Sequence, residues 1–170
     1  MNQQGLMGWI WLIFLIIILA GSVFVVGKSF DDLPGDFTYP VKQVMENLRL
    51  TANEVSFQGR ASVYLDLAAE RLNELQRMVT IRDKQSQIIP TLAKLQDQQQ
   101  KVIANIERGH SKGDNVTAQI TKLVADLKAQ QIIFAELIYQ VAEPNSSAFD
   151  KAIIQSEVTL DKVNELKNRY

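Results

Sequence analysis

Few side chains in this sequence could do chemistry. The chain has 170 residues, one His and no Cys. Without Cys there is no disulfide framework, thiolate zinc site, iron–sulfur cluster or cysteine nucleophile. His110 lies in the loop-like stretch Arg108-Gly109-His110-Ser111-Lys112-Gly113-Asp114-Asn115. It has no second His for a metal site, and Asp114 alone does not complete a ligand set. Asp31, Asp32 and Asp36 offer hard oxygen ligands of the kind calcium takes, but their spacing lacks the EF-hand order. They read as a solvated acidic turn. Glu70 and Glu74 are four residues apart, as a carboxylate pair would be, yet Arg71 and Arg77 lie close by. They read as the charged outer face of an amphipathic helix. Asn115-Val116-Thr117 and Asn145-Ser146-Ser147 are glycosylation triplets, which matter only in a eukaryotic secretory pathway. No phosphate loop, nucleophile elbow or dinucleotide fingerprint is present. The expectation is therefore a non-enzyme with no catalytic residue, no cofactor and no metal. A metal-binding or hydrolytic domain built on the Asp and Glu groups is the remote alternative. Eighteen basic against nineteen acidic residues give a net charge of −1, which argues against a nucleic-acid partner.

The elements that must position these groups begin with an apolar run. Residues 1–27 carry no charged side chain and no His. From Leu6 to Val26 the run is almost unbroken and includes Trp9, Trp11, Leu15 and Leu19. At about 1.5 Å per residue it is roughly 31 Å long, one hydrocarbon thickness. A helix satisfies its own backbone in lipid, and the indoles suit an interface. The tail Met1-Asn2-Gln3-Gln4-Gly5 lacks the basic n-region of a cleaved signal peptide. Residues 1–27 are therefore read as a short tail and a retained transmembrane anchor. Orientation is contested: Lys28 favours a cytoplasmic C-terminal side, whereas an anchor before a long domain more often places that domain outside.

Beyond the anchor the pattern is helical, with no alternating strand run bounded by turns. A first helix should start at Pro40, whose missing N–H costs nothing there, with Val41, Val44 and Leu48 on one face, and end before Phe57. A second spans about Arg60 to Arg82 on Ala61, Leu65, Ala68, Leu72, Leu75 and Val79. A third runs from about Pro90 to Arg108 on Ile88, Leu92, Leu95, Gln99, Val102 and Ile106, with Gly109 as its C-terminal cap. Asp114 can cap the fourth, whose seam is Val116, Ile120, Leu123, Leu127, Gln130, Phe134, Leu137 and Val141. Its span of about 27 residues would be roughly 40 Å long. Pro144 ends it, and Ser146 can cap a fifth on Phe149, Ile153, Ser156, Leu160, Val163 and Leu166. Extra apolar positions at Val124, Ile133, Ile138 and Ile154 suit a bundle better than a two-stranded coil. If Arg108 faces Asn115, Gln99 lies opposite Val124, so Gln99 and Gln130 do not pair and reach water at the seam edge. The sharper reading makes them a polar register pin.

One stretch is not generic. Leu33-Pro34-Gly35-Asp36-Phe37-Thr38-Tyr39-Pro40-Val41-Lys42 combines a turn signal at Pro34-Gly35 with an acceptor at Asp36 and a ring and hydroxyl at Tyr39. It reads as a rigid elbow between membrane and bundle. With Met45-Glu46-Asn47-Leu48-Arg49-Leu50 and the helix from Leu65 to Leu75, it resembles a bacterial family of uncharacterised domains. That family's signature is L-P-G-D/S-x-x-Y-P-x-K followed by an L-x-L-A-E-R-R-L-x-E helix. The resemblance covers residues 33–80. It implies a domain tethered by one transmembrane helix, outside the cytoplasm, and some members accompany anti-sigma-factor-like proteins. It supplies no catalytic residues. Here Ala69 precedes Glu70-Arg71, and Leu72 stands where many relatives have a second Arg.

The expected architecture is all-α: an N-terminal transmembrane helix, then a short helix and an antiparallel four-helix-type bundle. The divisions are 1–27 tail and anchor, 28–39 juxtamembrane elbow, and 40–170 bundle. Leu33, Pro34, Gly35, Asp36, Tyr39, Pro40 and Lys42 form the structural or interaction motif. Expected partners are the lipid bilayer and a protein partner or second copy, with Gly21, Ser22 and Gly27 available to a helix in the membrane. The leading expectation is an interaction or scaffold module; the alternative is a sensory or regulatory protein that signals through a membrane partner.

Overall fold

The computed structural model describes residues 31–53 and 56–169. The anchor reading of residues 1–27, with Leu6, Trp9, Trp11, Leu15, Leu19 and Val26, lies outside the described residues, as do positions 28–30 of the elbow. Among the described residues there is no strand, and no helix is long and apolar enough to cross a membrane. The α-helices are α1 (Tyr39–Ala52), α2 (Phe57–Thr80), α3 (Ile88–Ser111), α4 (Thr117–Leu137) and α5 (Asn145–Arg169). Short 3-10 turns at Arg82–Gln87 and Ile138–Gln140 follow α2 and α4.

The expected seams build the core. On α3 all six seam residues are buried, and on α4 so are Ile120, Leu123, Leu127, Gln130, Phe134 and Leu137, with Val116 buried just before the helix. Helices α2 and α3 form one hairpin and α4 and α5 another, with α2 running beside α4 and α3 beside α5. The connection from α3 to α4 therefore crosses the bundle diagonally. The core has two apolar halves. Leu75, Met78, Ile88, Leu95, Phe134 and Phe149 lead one, and the rings of Phe134 and Phe149 meet at 5.2 Å. Leu65, Val102, Ile106, Leu123, Leu127 and Val163 lead the other.

Between the halves lies a polar layer, which corrects the expected separation of the two glutamines. Gln99 Nε2 donates to Gln130 Oε1 at 2.5 Å, and both side chains are buried. Beside them the buried Ser156 hydroxyl donates to the Leu127 carbonyl at 3.4 Å. The error lay in the turn. Helix α3 continues to Ser111, and the Schellman glycine is Gly113 (φ 88°), not Gly109. The Asp114 amide donates to the Gly109 carbonyl and the Gly113 amide to that of His110, the paired bonds of that motif. His110 is thus in the last helical turn, not in a loop. Gly109 is needed for closeness: a Cβ there would stand 3.1 Å from Val116 and 3.3 Å from Phe57.

Other boundaries also shift. Asp114 does not cap α4; the Asn115 side chain accepts the Thr117 amide at 3.2 Å. Helix α2 starts three residues early because Ser56 Oγ accepts the Gly59 amide at 2.9 Å. Helix α4 has 21 residues and gives way to a 3-10 turn, so it is shorter than expected. Helix α5 starts at Asn145, which is buried and donates to the Gln85 carbonyl, so the acceptor asparagine of the second glycosylation triplet is enclosed. Ile154, expected to pack, is 61% exposed.

The glutamine pair generates a double-mutant test. Gln130→Leu alone strands a buried amide and should cost about 1–3 kcal/mol, while Gln99→Leu/Gln130→Leu together should recover most of it. Urea unfolding of the chain in mild detergent, followed by circular dichroism, reads both.

Candidate functional site, a buried ionic latch

The elbow motif folds as a unit. Gly35 takes φ 87°, which only Gly adopts without strain, and a Cβ there would face the Lys84 and Gln87 side chains at 3.5 and 3.7 Å. The turn closes through the Asp36 amide to the Leu33 carbonyl at 2.9 Å, and the Asp36 carboxylate accepts the Leu33 amide at 2.7 Å. The Asp36 carboxylate also binds Lys84 of the 3-10 turn after α2. That bond holds the Asp36 carboxyl below the ordinary carboxylate range. Leu33 and Pro34 are buried, and Leu33 sits in the apolar half led by Leu75 and Phe149. The chain is thus nailed into the bundle before α1 begins.

Helix α1 then packs with its polar side inward. Tyr39 and Lys42 are buried, and Glu46 is nearly so, while Val44 and Leu48 are 57% and 56% exposed. This reverses the expected face of the first helix. It also overturns the reading of Glu70 and Glu74 as one outer charged face. Glu74 is 2% exposed and Arg71 1% exposed. Lys42 Nζ lies 2.7 Å from Glu74 Oε1, and Arg71 NH1 lies 2.8 Å from Glu74 Oε2. The Tyr39 hydroxyl donates weakly to Glu74 at 3.4 Å and accepts from Arg71. The second guanidinium nitrogen of Arg71 binds Glu46. The Arg71 guanidinium lies 5.8 Å and the Lys94 ammonium 5.4 Å from the centre of the Tyr39 ring, within cation–π reach. Farther along α1, Arg49 pairs with Glu70 at 2.6 Å in a more exposed position.

Two cations and two carboxylates balance at the centre. Burial would lower the Arg71 pKa, but Glu74 and Glu46 outweigh it and raise it. Burial pushes the Glu46 carboxyl up against the pull of Arg71, and it keeps the Tyr39 phenol protonated. Glu74 is spent on three partners and Arg71 on three. The arrangement fastens α1 to α2. Among the described residues no set of three His, Asp or Glu side chains could hold a metal. A cleft of about 240 Å³ between α2, α3 and α4 is lined by Ala68, Leu72 and Ala129 together with polar Asn73, Asp126 and the glutamine pair.

Of the motif residues, Leu33, Pro34, Gly35, Asp36, Tyr39 and Lys42 all act in the elbow or latch, and Pro40 starts α1 as the second helical residue. The sequence reading missed Arg71, Glu74 and Glu46 as its partners. A signal was present: Val63, Leu67, Arg71, Glu74 and Met78 form a second stripe at helical spacing along α2, and all five are buried.

Residues 31–167 match a family described as a domain of unknown function, DUF5667. The chain belongs to the DUF5667 family. The DUF5667 match takes in the elbow, the latch and nearly all of the bundle, well beyond the 33–80 segment that carried the resemblance. No curated protein and no solved structure matches the chain.

Two outcomes follow from the latch. Glu74→Gln leaves Arg71 and Lys42 buried without their carboxylate and should destabilise by about 3–5 kcal/mol, whereas Arg49→Ala should cost no more than about 1 kcal/mol. The Asp36 pKa is lowered on folding, so its contribution is full above the unfolded value near 3.8 and fades as pH falls through the folded value. Asp36→Asn should therefore destabilise at pH 7 by about 1 kcal/mol, and the difference from the parent chain should shrink as pH falls below 3.8. Urea titrations at pH 7 and in acid read the difference.

Proposed function

We propose that this DUF5667 chain is a single-pass, membrane-anchored helical bundle that acts outside the cytoplasm as a non-enzymatic interaction module. The observation that carries the reading is the continuity from anchor to latch. A 21-residue uncharged run ends at Val26, and seven residues later Leu33 enters the bundle core. The reactive-looking side chains of the motif are engaged by internal partners, which favours binding over catalysis as the work of the domain. Bilayer and protein surfaces are the partners this design suits.

A second reading, membrane signalling, has its own support. Asp36, Lys84 and Leu33 tie the elbow both to the turn after α2 and to the core. A displacement among the bundle helices would thus move the elbow that leads to the membrane segment. A partner within the membrane, meeting Gly21, Ser22 and Gly27, would then receive it.

Alkaline carbonate extraction and protease treatment of intact spheroplasts test the leading reading. The chain should stay with the membrane pellet, and everything after residue 40 should be digested while cytoplasmic controls survive. Release by carbonate contradicts the anchor; protection of the bundle contradicts the orientation.

A further inference from the structure

Helix α1 is inverted relative to an ordinary surface helix. Its ionic side, Lys42, Glu46 and Arg49, meets α2, and its apolar side faces away from the bundle. Val41, Val44, Met45 and Leu48 recur at helical spacing toward that outer side, with Val44 and Leu48 more than half exposed and Val41 and Met45 half-buried. Phe37, in the turn before α1, is 99% exposed, and Pro40 is exposed beside it. The flanking Gln43, Asn47 and Thr51 are uncharged. A stripe of this kind, held outward by a buried ionic latch, is open to a cover.

We infer that the cover is the lipid bilayer itself: α1 lies in the membrane interface with Phe37, Val41, Val44, Met45 and Leu48 toward the acyl chains. The inference rests on the membrane anchor proposed above. From Val26 to Phe37 is eleven residues, at most about 40 Å of extended chain, and the turn at Leu33–Asp36 shortens it. An anchored chain thus keeps the stripe within about 40 Å of the lipid. The tether also supplies a high effective concentration, so a modest contact suffices. The other occupants fit less well. The outer face of α1 is about 21 Å long and about 10 Å wide, on the order of 200 Å², against about 800 Å² per partner in a stable protein interface. The chain's own run Leu6–Val26 is apolar on every side, so laying one side on α1 would leave the others in water. Because the outer face carries no charge, docking is driven by apolar burial and does not need anionic lipid, unlike most interfacial helices.

The absence of Cys makes the test direct. Full-length Val44→Cys and Lys112→Cys, the latter in the turn after α3, are labelled with nitrobenzoxadiazole and reconstituted in phosphatidylcholine vesicles with and without doxyl-labelled lipid. Quenching at position 44 should exceed that at position 112 by about twofold or more, with blue-shifted emission. It should persist in about 0.5 M salt and be unchanged when phosphatidylglycerol replaces part of the lipid. Adding Leu48→Asp, at an exposed position that does not endanger folding, should abolish it. Equal quenching at both positions, dependence on anionic lipid, insensitivity to Leu48→Asp, or a blue shift without quenching, the mark of a protein cover or second copy, each overturns the inference. Vesicle flotation separates the two claims. If the chain floats while position 44 stays in water, only the docking fails; if the chain does not float, the anchor fails with it.

Discussion

The buried Glu74 carboxylate is the constraint on which the arrangement of this domain depends. A carboxylate taken from water is costly unless its lone pairs are met and its charge is balanced. Glu74 recruits Lys42 and Tyr39 from α1 and Arg71 from its own helix, and Arg71 in turn recruits Glu46. Removing any one of them leaves a buried charge unbalanced or a buried hydrogen bond unmade. The latch therefore specifies one placement of α1 on α2, in which the motif tyrosine and lysine both face inward. Such a network contributes more to uniqueness than to net stability, since well-packed apolar groups would serve stability equally well.

The same constraint explains the outer surface. A helix with Tyr39, Lys42, Glu46 and Arg49 on one side has Val44 and Leu48 on the other by periodicity. Committing the polar side to α2 leaves Val44 and Leu48 outside. The elbow acts at the preceding step. With Leu33 in the core, Gly35 at positive φ and Asp36 clamped to Lys84, the direction in which the chain enters is set before α1 starts. Deeper in the bundle, the Gln99–Gln130 pair plays a related part, because sliding one helix by a turn would leave two buried amides without partners.

The bundle was legible in the sequence because its seams follow a simple rule. Leu92, Leu95, Val102 and Ile106 on α3, or Leu123, Leu127 and Phe134 on α4, repeat at four and three residues and are buried as the repeat requires. The elbow was legible because Pro34-Gly35 has few alternatives. The latch was not, since an Arg and a Glu three apart on an amphipathic helix usually face water, and only the long-range partners on α1 reverse that. The inversion of α1 was hidden for the same reason: three apolar residues at helical spacing look like a core face. The glutamine pairing and the role of Gly109 turned on a two-to-three-residue shift in where α3 stops. That shift is set by the Schellman bonds of Asp114 and Gly113, not by the nearest glycine.

Native-state hydrogen exchange of the full-length chain, resolved along α1, tests most directly whether the latch makes α1 part of the bundle. The account predicts that amides of the second half of α1, near Glu46 and Arg49, are protected to nearly the same degree as those of α2 around Arg71 and Glu74, so that both open together. Exchange of those α1 amides at close to unfolded rates while α2 stays protected would contradict it.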